Sequence, residues 1–281
     1  MAVALTLALP VLAPLPLMLL RRNGGRISFL TGAIVAVSLL IWLATPAVVS
    51  LFLAAVILSL VFCESENQNI GYSSSVFVSL LVLAGFGAIC AGYAIQHYGF
   101  DPVGFFRNEV EQGLTQLSLP AGLAVDKEAL IKQIPSGLII LVVFTVWLNS
   151  ILVLKVEHLL GWTASLQKHI VVNGEFRHWK VPDSFVWVAL ASAGGAYFDF
   201  QPEWLHWVAA NAFNIVIMLY FFQGLAVIAD FFAIKRTSVV WRTIAYLLIF
   251  LQLFLMVAFL GFVDLWFEFR NRTKSDKSAV A

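Results

Sequence analysis

Five polar side chains stand inside stretches of sequence that are otherwise apolar: Asn149, Asn211, Asn214, Gln223 and Asp264. An amide donates and accepts hydrogen bonds and a carboxylate accepts them, so each needs a partner when it is buried in hydrocarbon. Asn211 and Asn214 are three residues apart and therefore share one helix face. Such residues either bond one helix to another or line a cavity for a small molecule. With both alternatives open, we name all five as candidate ligand-binding residues.

Aromatic and basic residues in two polar stretches suit contact with a protein partner. The run Phe176-Arg-His-Trp179-Lys-Val-Pro182 combines aromatic rings with cations, and aromatic residues and arginine are enriched at interfaces. Near the end of the chain Trp266 and Arg270 share a helix face, where a cation–π contact is feasible. These two residues equally suit an anchor at the membrane surface. The candidate partner-docking residues are Phe176, Arg177, Trp179, Pro182 and Arg270.

No motif points to catalysis or to a bound metal. The sequence has no Walker loop, no HExxH and no GxSxG motif, each of which places catalytic groups at fixed spacing. His158, His169 and His178 are separated by eleven and nine residues and fit no single helix face. Cys63 and Cys90 form no CxxC pair and suit apolar packing. We predict no catalytic residue, no metal and no cofactor, and a protein that is not an enzyme.

The elements that position these side chains are membrane-spanning helices. Of the 281 residues, 61% are hydrophobic and 12% charged, whereas a soluble domain carries about 25% charged residues. A crossing helix needs about 20 apolar residues, so the sequence predicts an all-α polytopic transmembrane bundle of about eight spans. Their predicted positions are 3–20, 27–44, 47–63, 75–97, 136–156, 184–199, 205–230 and 243–267. The first span has its basic residues after it, unlike a secretory signal, and is predicted to be retained.

Three polar segments lie between and after these spans, within a single transmembrane domain of residues 1–281. Residues 98–135 carry apolar residues at helical spacing and predict an amphipathic segment outside the membrane. Residues 157–183 form a basic loop and residues 270–281 a polar tail. Ten lysines and arginines fall on one side and three on the other, with four more in the tail. The ten-residue side is predicted to be cytoplasmic.

Four short stretches resemble a known family. They are the Pro14-Leu-Pro16 run before Arg21-Arg22, the run 176–182, residues 214–227 and the closing Gly261–Trp266 with Arg270. Together they are similar to the YybS-like bacterial inner-membrane proteins, whose function is unknown. The resemblance implies an eight-span, multi-pass protein of the bacterial inner membrane with no established catalytic residue. It also implies distant kinship with substrate-binding S components of energy-coupling-factor importers and with the cell-shape protein MreD.

Two functions follow from these observations. The first is a transport-type subunit that binds a small molecule among its intramembrane amides. The alternative is a non-catalytic membrane scaffold or accessory subunit of a larger complex, as MreD is. The expected partners are the lipid bilayer and other membrane subunits or a second copy of the chain. A net charge of +1 argues against nucleic acid, which requires a concentrated basic face.

Overall fold

The computed structural model describes residues 9–68, 70, 72–116, 126–161, 180–198 and 202–269, and among these residues the regular structure is helical throughout. The predicted all-α fold is therefore confirmed over this part of the chain. Within these ranges, a 3₁₀ turn at Pro10–Leu12 precedes ten α-helices. They are α1 (Pro14–Leu43), α2 (Pro46–Asn67), α3 (Tyr72–Tyr98), α4 (Pro102–Gln116), α5 (Lys127–Lys132), α6 (Ile134–Leu159), α7 (Phe185–Tyr197), α8 (Glu203–Ile234), α9 (Val239–Leu251) and α10 (Phe254–Phe267).

Prolines mark the beginnings of three helices. Pro14, Pro46 and Pro102 are the first residues of α1, α2 and α4. A proline is tolerated there because the first turn of a helix has no intrahelical partner for its N–H groups. Thr45 before Pro46 has extended backbone (φ −69°, ψ 154°) and separates α1 from α2. The second and third predicted spans are therefore two helices joined by a short turn.

The chain folds into two compact units. The first unit comprises residues 1–127 and 141–172, and in it α2 packs against α1 and α3. The second unit comprises residues 128–140 and 173–281, and in it α8 packs against α7 and α10. The single transmembrane domain inferred from the sequence stays a prediction.

Helix α1 folds back on itself at Gly25. This residue has φ 78° and ψ −174°, a backbone conformation that essentially only glycine adopts. A Cβ on Gly32 would lie 2.8 Å from a methyl group of Leu20, although a straight helix places residues twelve apart about 18 Å from each other. The arms 14–24 and 26–43 therefore lie side by side. Their inner faces share an apolar cluster in which Leu17 accompanies Phe29.

Within the described ranges, fewer than the predicted eight spans meet the criteria of helix length and apolar composition. Among the described residues, five helical stretches meet these criteria: Pro10–Leu43, Val48–Asn67, Ser74–Tyr98, Ile134–Leu159 and Glu203–Ile234. A sixth is added if α9 and α10, which are bent by 101°, count as one broken span. The predicted sixth span is α7, which has 13 residues and is short against the roughly 20 that a crossing needs. Of the predicted first span, 3–20, residues 9–20 are described, and they contain the 3₁₀ turn and the first seven residues of α1.

Two glycines allow α8 and α10 to cross with their backbones in contact. A Cβ on Gly224 would overlap the carbonyl oxygen of Val257, and a Cβ on Gly261 would overlap that of Tyr220. Glycines at such crossings let helices in a membrane approach closely enough for extensive van der Waals contact. Beside the crossing, the ring of Tyr220 packs edge-on against Phe262 with centroids 5.1 Å apart. This crossing forms the core of the second unit.

Large apolar side chains on the outer faces of the helices fit contact with lipid. Trp42, Ile27 and Ile89 lie on long apolar helices and are 89%, 80% and 74% exposed. In a membrane such side chains contact acyl chains, whereas in water they would form an aggregating surface. The protein is therefore an integral membrane protein in contact with the bilayer.

The predicted amphipathic segment contains a helix, α4. Phe106, Val110 and Leu114 are four residues apart and half-buried, while Arg107 and Glu109 are exposed. This alternation is the amphipathic pattern that the sequence predicted for this part of 98–135. Most of the basic loop 157–183, at residues 162–179, and the tail 270–281 lie outside the described residues.

Candidate functional site

Three arginines and three glutamates form a cluster at one end of the first unit. Arg21, Arg22 and Arg26 flank the reversal of α1 at Gly25. Glu64 and Glu66 occupy the last turn of α2, and Glu157 lies near the end of α6. We call these six residues the Arg–Glu cluster. Because the reversal brings both arms of α1 to the ends of α2 and α6, six charges from three helices meet in one place.

The pairs within the cluster are closely hydrogen-bonded. Arg22 donates from Nη2 to both carboxylate oxygens of Glu66 at 2.7 Å and lies 3.5 Å from Glu157. Arg21 donates to Glu64 at 2.7 Å, and Arg26 also donates to Glu64. Asn23 adds a hydrogen bond to Glu157 at 3.2 Å. Charge-assisted bonds of this kind are about twice as strong as neutral ones.

The side chains of the inner residues of the cluster, Arg22 and Glu157, are buried, so their pairing affects the stability of the fold. The side chains of Arg22 and Glu157 are 3% and 0% exposed, whereas that of Arg26 is 65% exposed. Three positive charges face three negative charges, so the cluster carries no net charge. A buried charge is costly without its partner, and breaking a buried pair costs about 3–5 kcal/mol. The arrangement therefore fastens the reversal of α1 to α2 and α6.

Asn149 lies deep in the same unit, on α6, and is 0% exposed. Its amide nitrogen donates to the carbonyl oxygens of Val11 and Thr145, both at 2.7 Å. The bond to Val11 ties α6 to the 3₁₀ turn before α1. Its amide oxygen is buried and has no hydrogen-bond partner within the described part of the chain.

Asn211 fastens α8 to the junction of α5 and α6 in the second unit. Its side chain accepts from the backbone N–H of Ser136 at 2.9 Å and donates to the carbonyl oxygens of Lys132 and Trp207 at 2.8 and 2.9 Å. Asn214 donates to the hydroxyl of Ser136 at 3.2 Å. Both amides therefore form hydrogen bonds with backbone or side-chain groups of neighbouring helices.

Gln223 and Asp264 form a second connection in this unit. Gln223 is fully buried, accepts from the backbone N–H of Val181 at 2.9 Å and donates to Asp264 at 3.3 Å. Asp264 also accepts from the backbone N–H of Phe269 at 3.1 Å. These bonds join α8 to α10 and to the segment before α7.

The five candidate ligand-binding residues lie in three places, since Asn211 and Asn214 meet at Ser136 and Gln223 bonds to Asp264. Asn149 belongs to the first unit and the other four to the second. On α8, Asn211 and Gln223 are twelve residues apart, which corresponds to about 18 Å along a helix. Their role in ligand binding stays a prediction. Of the docking candidates, Pro182 is exposed, while Phe176, Arg177, Trp179 and Arg270 lie outside the described residues.

The Arg–Glu cluster was missed from the sequence, although a signal was present. The sequence places Arg21, Arg22 and Arg26 among the ten basic residues of one side, and no prediction concerned Glu64, Glu66 or Glu157. With the predicted spans, Glu64 and Glu66 follow span three and Glu157 follows span five, on the same side as the three arginines. Opposite charges that gather at span ends on one side of a membrane are candidates for pairing.

Comparisons with known proteins place the whole bundle in one family. The model of a family described as a predicted membrane protein (DUF2232) matches residues 1–265. No curated protein matches the chain. No solved structure matches it either.

Proposed function

Since the chain belongs to this family of predicted membrane proteins, we propose that it is a non-catalytic scaffold or accessory subunit of a larger membrane complex. The observation that carries the proposal is the use made of polar side chains buried within the two units. Five of them, Arg21, Asn149, Glu157, Gln223 and Asp264, bond to a residue of another helix or of a turn outside their own helix. A rigid arrangement of helices that presents a fixed surface is what a scaffold requires.

The bonds of the second unit illustrate this use. Asn211 makes three hydrogen bonds, two of them to the junction of α5 and α6. Gln223 engages a backbone N–H and the Asp264 carboxylate. A polar lining for a ligand needs amide groups that point into a space and are free to bind. These amides instead bond to backbone groups and to the Asp264 carboxylate.

The Arg–Glu cluster supports the same function. Catalytic acids and bases are commonly activated by burial, like-charge pairs or helix dipoles that shift their pKa values. Here the charges balance, and each arginine has a carboxylate partner. Such a network stabilises a particular arrangement of α1, α2 and α6.

The proposal includes the setting and the partner. From the resemblance to YybS-like proteins and to MreD, we place the protein in the bacterial inner membrane. Its partner is another integral membrane protein, which contacts the run 176–182 through Phe176, Arg177 and Trp179. Arg270 and Pro182 belong to the same predicted docking set.

Extraction of the protein from its native membrane directly into polymer nanodiscs, followed by native mass spectrometry, tests the proposal. We expect the chain together with a second membrane protein at fixed stoichiometry. Arg177→Ala with Trp179→Ala should lower recovery of that partner at least several-fold. The matched control is Phe105→Ala with Arg107→Ala on α4, which likewise removes one aromatic residue and one arginine.

The outcomes separate the parts of the proposal. If the α4 pair alone lowers recovery, the partner contacts α4 and the docking residues are wrong. If the chain is always recovered alone from native membrane, the scaffold proposal is wrong. Uptake of a solute by liposomes that contain only this protein would also contradict it.

A transport-type subunit is the second candidate, and one observation favours it. The amide oxygen of Asn149 is buried in a spanning helix and has no partner among the described residues. Polar groups held in the hydrocarbon often mark a substrate pathway. Thermal-shift screening of the purified protein against vitamins and small metabolites tests this candidate, and stabilisation that is absent in Asn149→Leu is the expected result.

A further inference from the structure

The amide orientation of Asn149 is determined by its surroundings. The two N–H groups of Nδ2 donate to two carbonyl oxygens at 2.7 Å, one of Val11 and one of Thr145. Exchanging the oxygen and nitrogen would place Oδ1 against both carbonyl oxygens, which can only accept. The side-chain oxygen must therefore be the atom that points away from them.

This oxygen is an acceptor that the described part of the protein does not satisfy. Asn149 is 0% exposed, and its Oδ1 has no hydrogen-bond partner among the described residues. Within the hydrocarbon region no bulk water is present to supply a donor. A buried polar atom without a partner costs about 1–3 kcal/mol, so a bound donor would be favoured at this position.

The neighbouring backbone is irregular in a way that accompanies binding sites in membrane proteins. Val11, which Asn149 contacts, belongs to a 3₁₀ turn that precedes Pro14. Pro14 and Pro16 have no N–H, so the carbonyl groups of Pro10 and Leu12 have no donor in the α-helical position four residues later. The carbonyl oxygen of Pro10 instead accepts from the N–H of Ala13 at 3.1 Å. Ser59 donates to the carbonyl oxygen of Ala55 at 2.7 Å, and its hydroxyl lies 3.4 Å from the carbonyl oxygen of Pro14. Non-helical backbone at membrane depth is tolerated where protein groups or a bound molecule satisfy it.

The chemistry around Asn149 selects a neutral ligand. No group of three or more acidic, histidine or cysteine side chains able to hold a metal ion occurs among the described residues. The hydrophobic residues one turn away on either side, Val146 and Val153, are buried and offer no charge to balance a cation. What the oxygen requires is one O–H or N–H donor.

We propose that Asn149, together with the proline-broken start of α1, binds one small neutral hydrogen-bond donor within the first unit. The donor is an ordered water or the hydroxyl group of a small molecule. The ligand bonds to Oδ1, while Nδ2 holds Val11, so the same side chain joins the ligand to the first arm of α1. This inference is independent of the scaffold function.

A density map of the intact protein in nanodiscs at about 2 Å resolution tests the site directly. We expect a peak about 2.6–3.2 Å from Oδ1, the range of a hydrogen bond to oxygen. A single round peak identifies water, and elongated density together with excess mass in native mass spectrometry identifies a hydroxyl-bearing molecule. Continuous protein packing against Oδ1, with no peak, overturns the proposal.

Radiolytic footprinting in ¹⁸O-labelled water provides an independent measurement, because ordered waters transfer label to the side chains beside them. If the ligand is water, the peptide with Val146 and Val153 should be labelled at least several-fold above the equally buried peptide with Phe52 and Leu58. The label should fall to the control level in Asn149→Leu. Equal labelling of both peptides in the native protein, with no density at Oδ1, would exclude the site even if Asn149→Leu fails to fold.

Discussion

Neutralising Glu66 should destabilise the protein far more than the same change at an exposed ion pair. Glu66→Gln keeps the shape of the side chain but removes the charge that receives two 2.7 Å bonds from Arg22. Arg22 is 3% exposed and cannot turn to water. Breaking a buried pair costs about 3–5 kcal/mol. Because Glu157 lies 3.5 Å from Arg22 and retains part of the interaction, we expect about 3 kcal/mol, the lower end of that range.

Reversible unfolding in mixed micelles measures this difference. Nine tryptophans give a fluorescence signal as dodecyl sulfate replaces a mild detergent. A loss of about 3 kcal/mol lowers the folding equilibrium constant by about a hundredfold. The control is Glu111→Gln, since Glu111 pairs with Lys127 at 3.1 Å and both side chains are about half exposed. An exposed pair contributes about 0–1 kcal/mol.

A double-mutant cycle distinguishes pairing from general loss of packing. Arg22→Gln and Glu66→Gln each leave a buried charge without its main partner, and the double variant removes both charges. The double variant should therefore lose clearly less stability than the two single variants together. Strict additivity, or a loss for Glu66→Gln no greater than for Glu111→Gln, would refute the role assigned to the Arg–Glu cluster.

Three further predictions concern backbone and amide positions. Gly261→Ala places a Cβ against the carbonyl oxygen of Tyr220, and this overpacking should lower the free energy of unfolding by about 1–3 kcal/mol. In the same unfolding assay, the control Gly92→Ala should be nearly neutral, because its Cβ meets open space. Gly25→Ala also adds its Cβ to open space. Because alanine is strained at a φ of 78°, the free energy of unfolding should fall by about 1–3 kcal/mol. An unchanged stability would contradict the reversal of α1 at Gly25. Asn211→Ala removes three hydrogen bonds of about 0.6 kcal/mol each in membranes and should lose about 2 kcal/mol, while an unchanged midpoint would show that the junction of α5 and α6 is held by other contacts.

The fold class could be predicted because composition and the length of an apolar run are properties of the sequence that do not depend on long-range contacts. Each stretch of about 20 apolar residues indicates a spanning helix without knowledge of its neighbours. Pro46 and Pro102 indicate helix starts because a proline has no N–H and its fixed φ suits the first helical position. The reversal of α1 at Gly25 was harder to predict from the sequence. Two adjacent glycines permit it, but only the contact of Leu20 with Gly32 shows that the arms lie side by side. No proline or glycine lies at the bend between α9 and α10, so the sequence gives no local indication of this bend.

The sequence showed which amides lie within apolar stretches, but it did not show their hydrogen-bond partners. Asn211 was correctly recognised as a polar group that needs hydrogen bonds. That it would find them at the backbone of Ser136 and Lys132, more than seventy residues away, depends on how the helices pack. Pairing of Arg22 with Glu66 and Glu157 likewise requires the three helix ends to meet. Long-range contacts of this kind are not encoded by local periodicity, and this is why the Arg–Glu cluster was missed.

The Arg–Glu cluster also determines which loops share a side of the membrane. Because Arg22 bonds to Glu66 and lies beside Glu157, the ends of α2 and α6 lie at the same end of the first unit. Helix α3 then runs for 27 residues, about 40 Å, which exceeds the roughly 30 Å of the hydrocarbon core. The residues that follow α3 must therefore lie on the opposite side from the end of α6.

Single cysteines at two exposed positions test this arrangement. In a background with Cys63 and Cys90 replaced by alanine, His158→Cys lies at the end of α6 and Asp101→Cys follows α3. A membrane-impermeant maleimide should label the two from opposite sides of sealed vesicles. His158→Cys should react from the cytoplasmic side, because ten lysines and arginines were assigned to that side. Labelling of both positions from one side would mean that α3 does not cross, whereas labelling from opposite sides with the polarity reversed would correct the orientation and leave the fold intact.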